Sequence, residues 1–197
     1  VAELAERAPL SVSRGKVPAG AEIVVLHRSA SLLEILEDGL AYSNNLVAEQ
    51  IMRTLAWRMT GVPGDWTHGQ EVLRDYWSAL SDGSTGLVVE NGAGLSRTGR
   101  MTTSELVDLI SVAHRTGSGL IGVLPVAGEP GTMRTRLRLS GRRVRAKTGT
   151  LRGVSALSGV ITSEDGTPKI GFSIIINARE DEAVWGSTRK TAIDLAP

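Results

Sequence analysis

Three apolar segments near the end of the chain, residues 144–150, 153–162 and 169–177, follow one another with only a few residues between them. Connections that short suit antiparallel neighbours, because a parallel crossover needs a dozen residues or more. The second link, SEDGTP (163–168), carries an Asp-Gly pair, which is hairpin turn chemistry. A strand meander is therefore expected here, and everything before it has a different rhythm. Ser31 is placed to cap a helix over 32–40, with Glu34 in the capping-box position. Ser43 is placed to cap a second helix, in which Leu46, Val47, Ile51, Thr54 and Leu55 recur at helical spacing to about Met59 before GVPG (61–64) stops it. A third helix is expected over 67–80, with Val72, Leu73, Tyr76, Trp77 and Leu80 on one side. A fourth begins at Thr102 or Thr103 and runs through Ala113. Residues 2–8 have the look of a helix end broken at Pro9, and 180–195 that of a closing helix. Residues 21–27 (AEIVVLH) and 87–89 are expected as short strands, 81–86 as a turn, and 91–100 (NGAGLSRTGR) as a glycine-rich loop. Helices, then a meander, then a helix give an α+β fold in which helices pack on an antiparallel sheet.

Composition removes several functions. The 197 residues contain no cysteine, which excludes a disulfide scaffold, a thiol nucleophile and sulfur-ligated zinc. His27, His68 and His114 lie far apart without the carboxylate spacing of a metal site, so no metal or other cofactor is expected. No stretch of ~18 apolar residues is present, so no transmembrane segment is expected. The net charge of +1 does not suit a generally nucleic-acid-like chain. Between Glu129 and Glu164 there is no acid, while Arg134, Arg136, Arg138, Arg142, Arg143, Arg145, Lys147 and Arg152 all fall there. No aromatic residue falls among these arginines to stack on bases, so no nucleic-acid partner is expected. A solvated strand face with a basic loop, or a local positive field that draws in a carboxylate, are the two readings left.

Two short patterns remain. The chain has only four lysines against eighteen arginines, and Lys147 stands in Lys147-Thr148-Gly149-Thr150 on a predicted strand. Gly149 is either a weak point in that strand or a place where another backbone approaches closely. Ser43-Asn44-Asn45 precedes an amphipathic helix, where Ser and Asn also suit simple capping. Ser-x-Asn followed about a hundred residues later by Lys-Thr-Gly is two of the three signatures of the penicillin-recognising serine enzymes. The surrounding text, LHRSASLLEILEDGLAYSNNLVAEQI, ENGAGLSR, LPVAGEPGTMRTRL and VRAKTGTLRGVSALSGVITSEDG, closely resembles the D-alanyl-D-alanine carboxypeptidase/endopeptidase family of low-molecular-mass penicillin-binding proteins over roughly residues 20–177. It departs at Asn44, where that family usually has Asp, at Ala93, where Ser is common, and at Pro130, where Asp is common. A β-lactamase of the same superfamily would share both motifs, but the flanking text suits the peptidase better.

The resemblance implies a truncated penicillin-binding, β-lactamase-like transpeptidase fold. It implies a peptidoglycan stem peptide ending in D-Ala-D-Ala as substrate, β-lactams as inhibitors, and a periplasmic or extracytoplasmic location. It also implies roles: Ser43, Asn45 and Lys147 catalytic, and Thr148, Gly149 and Thr150 substrate-binding. The third signature, Ser-x-x-Lys, has two matches by letter. Ser13–Lys16 contains Gly15 and is followed by Pro18, which disfavours the helical turn the chemistry needs. Ser187–Lys190 lies after the Lys-Thr-Gly strand, out of order. Both are taken as accidental. The expectation is that residues 1–197 form the C-terminal part of one catalytic domain, with the first strands, nucleophile helix and inserted domains upstream.

Overall fold

The computed structural model describes residues 14–80 and 86–178. The helix end at 2–8, nearly all of the 81–86 turn, the closing helix at 180–195, Ser13 and the 187–190 motif lie outside the described residues. Four helices precede a three-stranded sheet: α1 (Leu32–Ala41), α2 (Asn45–Thr60), α3 (Trp66–Leu80) and α4 (Thr103–Arg115), then β1 (Val144–Leu151), β2 (Val154–Thr162) and β3 (Pro168–Asn177). The sheet is an antiparallel meander in the order β1-β2-β3.

The helix starts follow local chemistry. Ser31 and Glu34 form a reciprocal capping box at α1, and Thr102 and Glu105 form another at α4. Each cap satisfies N–H groups that would otherwise have no partner and contributes about 1 kcal/mol. α2 ends on Gly61, whose φ of 73° fits the left-handed position that glycine takes without penalty. α2 and α3 meet where Met52, 2 % exposed, lies against Gly69. Of the five residues assigned to one side of α3, Trp77 is buried and Val72 and Leu73 half-buried, while Tyr76 and Leu80 are exposed.

Register divides the sheet into two faces, since cross-strand partners share a face. Val144, Ala146, Leu157, Ile161 and Phe172 lie on one, packed with Ala127 and Met133 in the main core cluster. Arg145, Lys147, Gly149, Val160 and Gly171 lie on the other, where α4 packs against β3 through Val107 and Ile110 near Gly171.

Three expectations need correction. Residues 21–27 form no strand, and Ile23, Val24, Val25 and Leu26 are all exposed. An apolar run becomes a strand only with a neighbouring strand to pair with, and this one has none among the described residues. Residues 87–89 are likewise not a strand but contribute a single bridge, Val88 to Arg100. The residue capping α2 is Asn44, whose Oδ1 accepts from Val47 N–H at 3.2 Å, not Ser43.

Candidate active site

Ser43 is free of the capping role because it sits in the tight link between α1 and α2. Its φ is +56°, a left-handed conformation that costs a non-glycine residue about 1–2 kcal/mol. Tyr42 N–H bonds Asp38 O at 3.1 Å and Asn44 N–H bonds Gly39 O at 2.8 Å, so the link is pinned on both sides of Ser43. The strained backbone turns the Ser43 hydroxyl toward the sheet. There Lys147 Nζ donates to Ser43 Oγ at 2.9 Å across 104 residues of sequence, and to Thr148 O at 2.8 Å. Burial pulls the Lys147 ammonium below the ordinary lysine value, and the nearby Arg136 guanidinium adds to that shift. A lysine so placed gives up its proton more readily than a solvated one. Asn45 occupies the first position of α2, exposed and two residues beyond Ser43.

The outer edge of β1 changes character along its length. Ala146 N–H donates to Pro125 O at 2.8 Å and Ala127 N–H to Val144 O at 2.9 Å, so residues 125–127 cover the start of the edge. In an antiparallel strand, alternate residues direct both backbone groups to the same side. Thr148 and Thr150 therefore present their N–H groups to that edge beyond the point where 125–127 covers it, and the Thr148 carbonyl there is taken by Lys147. The side chains of Thr148 and Thr150 leave the sheet on the face opposite Lys147. Gly149 shares the Lys147 face. A Cβ at Gly149 would stand 3.3 Å from Ala156 Cβ, so crowding by β2 accounts for part of its need to be glycine.

The glycine-rich loop is held against the helices. Ala93 N–H donates to Glu49 Oε1 at 3.1 Å, and Glu49 Oε2 accepts from Trp66 Nε1 at 3.0 Å, so one carboxylate on α2 ties the loop to α3. Gly92 permits this docking, since an added Cβ would lie 2.6 Å from Ala48 O. Arg97 then reaches Arg152 O at 3.2 Å. Between this loop and the β1–β2 turn lies a cavity of about 990 Å³, bounded by Glu90, Arg100, Leu151 and Ile175 among others. No group of three or more His, Asp or Glu among the described residues could hold a metal ion.

The structure thus brings Ser43, Lys147 and the 148–150 edge together, with Asn45 on the adjoining helix. Reading the sequence alone counted Arg136 among the basic residues of 134–152 without its place near Lys147, and missed Glu49, which seats the loop. A carboxylate facing inward from an amphipathic helix is a signal that could have found Glu49. Nothing in local spacing points to Arg136.

Residues 4–196 match the D-Ala-D-Ala carboxypeptidase 3 (S13) family. The chain is 36 % identical over 197 residues to a D-alanyl-D-alanine carboxypeptidase of Actinomadura sp. (strain R39), covering 94 % of this chain and 36 % of that protein. It is 30 % identical to carboxypeptidase DacB of Mycolicibacterium smegmatis, covering 85 % of this chain and 37 % of the relative. The chain thus spans about a third of the length of the curated relatives it matches. Penicillin-binding protein 4 of Haemophilus influenzae, solved with a β-lactam, has a similar fold, with a TM-score of 0.68 at 22 % identity over 82 % of this chain and 39 % of that one. A predatory endopeptidase of Bdellovibrio bacteriovorus, acylated by penicillin G, is similar with a TM-score of 0.65 at 19 % identity over 84 % of this chain and 44 % of that one. The α+β fold is therefore that of the penicillin-binding peptidases, and this chain belongs to the D-Ala-D-Ala carboxypeptidase 3 (S13) family.

Proposed function

We propose that this chain supplies the Ser-x-Asn and Lys-Thr-Gly elements of a serine-type D-Ala-D-Ala carboxypeptidase/endopeptidase acting on peptidoglycan stem peptides outside the cytoplasm. The observation that carries the reading is the 2.9 Å contact from Lys147 Nζ to Ser43 Oγ, beside an edge of β1 that no other described strand pairs with. In this reading a serine oxygen from a segment outside this chain bonds to the carbonyl carbon between the two D-alanines. The C–N bond breaks, and the proton that the attacking serine gives up reaches the leaving amine through Ser43, with Lys147 as the electropositive partner that assists it. Water then releases the acyl group. Asn45 hydrogen-bonds the substrate amide or the base lysine. The Thr148 and Thr150 hydroxyls hold the terminal carboxylate, and Thr150 N–H is one oxyanion donor. The peptide lies along β1 by main-chain bonds, against Gly149.

A second reading is favoured by one observation: no Ser-x-x-Lys occurs within the described residues. On that reading the chain binds stem peptide without cleaving it. Intact mass after incubation with benzylpenicillin separates these possibilities. The isolated 197-residue chain is expected to gain no mass, and the chain joined to an upstream segment carrying Ser-x-x-Lys to gain one penicilloyl group. An adduct on the isolated chain would overturn the assignment of the nucleophile to another segment. No adduct on the longer protein would favour the binding reading.

A further inference from the structure

Residues 125–136 carry none of the three signature motifs, yet they touch both halves of the site. Their first part runs beside β1 through the Pro125 and Ala127 bonds given above, and Ala127 and Met133, 2 % and 0 % exposed, pack with Val144 and Ala146. The segment then folds back, with Gly128 N–H donating to Met133 O at 3.0 Å. At the outer bend Thr132 N–H donates to Ala41 O at 2.8 Å. Ala41 is the last residue of α1, where carbonyls lack a helical partner, and this bond supplies one. Gly131 makes the approach feasible: its φ is +117°, and a Cβ there would lie 2.4 Å from the same Ala41 oxygen. Ala146 is one residue before Lys147, and Ala41 is two residues before Ser43.

The bonds within the Ser43 link set its shape but not its distance from the sheet. Among the described residues α1 has no fully buried residue, and the element it packs with is α2 rather than a strand. We infer that residues 125–133 are a positioning strap, in which Gly131 and the Thr132 N–H hold the Ser43 link at hydrogen-bonding distance from Lys147. The same segment runs on to Arg136, the charged neighbour of Lys147.

The inference deepens the peptidase reading, but its test uses this chain without substrate, so the two can fail separately. Lysine labelled with ¹³C at Cε gives four signals from the four lysines. In the unaltered chain, Lys147 is expected to show a nuclear Overhauser contact to Ser43. Gly131→Ala should abolish that contact and move the Lys147 titration midpoint up toward that of a solvated lysine, leaving Lys169 unchanged. A folded Gly131→Ala protein that keeps both the contact and the midpoint would overturn the strap. Thr132→Val keeps the N–H and replaces only the hydroxyl, which is buried without a partner among the described residues, and should change neither signal. Loss of the contact in that variant would transfer the role to the hydroxyl and overturn the assignment to the backbone. If Gly131→Ala does not fold, amide exchange in the unaltered chain decides. Thr132 N–H exchanging at least about tenfold more slowly than an unbonded loop amide supports the strap, and unprotected exchange sinks it.

Discussion

All eight residues of β1 have partners on β2, and the strand rests on a core that includes two residues with no exposed surface, Met133 and Ala146. The helical layer is built more loosely. Among the described residues α1 has none fully buried, α2 has Met52 and Ala56, and α3 has Gly69 and Trp77. One half of the candidate site, Lys147, stands on the first region, and the other, Ser43, on the second. The two regions also use glycine differently. In the sheet, a Cβ at Gly159 would lie 2.0 Å from Arg145 O and 2.6 Å from Ala146 Cα, both backbone atoms that cannot yield. Between the helices, a Cβ at Gly69 would lie 2.8 Å from Met52 Cγ, part of a flexible side chain that can turn aside. The site joins a partner placed by strand pairing to one placed by a strained link and a single bond from the strap.

That contrast can be broken most forcefully at Gly159. Gly159→Ala should part β1 from β2 and cost about 3 kcal/mol or more, read as a lower denaturation midpoint and lost protection of the Ala146 amide. A variant that melts like the parent would mean the pairing is more pliant than described.

Lys147→Met tests the electrostatic side of the comparison. The folded state holds Lys147 below the ordinary value of 10.5, so its protonated form is disfavoured there. The unfolded chain then binds more protons between the two values, and stability rises with pH across that window. The variant lacks this penalty. Its thermal midpoint should compare most favourably with the parent's at neutral pH, with the advantage shrinking as pH approaches 10.5. A difference that does not vary with pH would rule out the desolvation account.

Asp165, in the β2–β3 hairpin turn, bears on the sheet alone. Its carboxylate accepts from Ser163 Oγ at 2.6 Å and Thr167 N–H at 3.0 Å, which lower its pKa to about 2 from 3.8. The resulting stabilisation is complete above 3.8 and lost as pH falls through about 2. Asp165→Asn should therefore be less stable than the parent at neutral pH and equal to it in strong acid, as paired melts at the two extremes would show. The smallest effect is expected in the helical layer. At Gly69→Ala, a gain of about 1 kcal/mol in helix propensity offsets the crowding of Met52, for a net change within about 1 kcal/mol. A large loss there would erase the contrast with Gly159.

Much of the fold was legible because its signals are short-range. The Ser31–Glu34 box, the Gly61 stop and the Asp-Gly hairpin each act within three or four residues, and each appears where the chain's letters place it; of Thr102 and Thr103, the residue that caps α4 is Thr102. The pairing of Ser-x-Asn with Lys-Thr-Gly was legible only as a pattern, since nothing in spacing says that residues 104 apart will meet. Residues 21–27 show the limit from the other side. Their composition is that of a strand, but a strand is a relation between two segments, and none pairs with them among the described residues.

The sequence by itself determined where helices begin and end, that three strands would follow in a meander, and which residue types were available for acyl-transfer chemistry. Tertiary structure alone decided that Ser43 would meet Lys147, that Arg136 would stand near that lysine, and that Gly131 and Thr132 would reach the end of α1. Capping and turn preferences are settled by a residue and its near neighbours. Contacts between distant segments depend on how the whole chain closes its core, and that is not written at any one position.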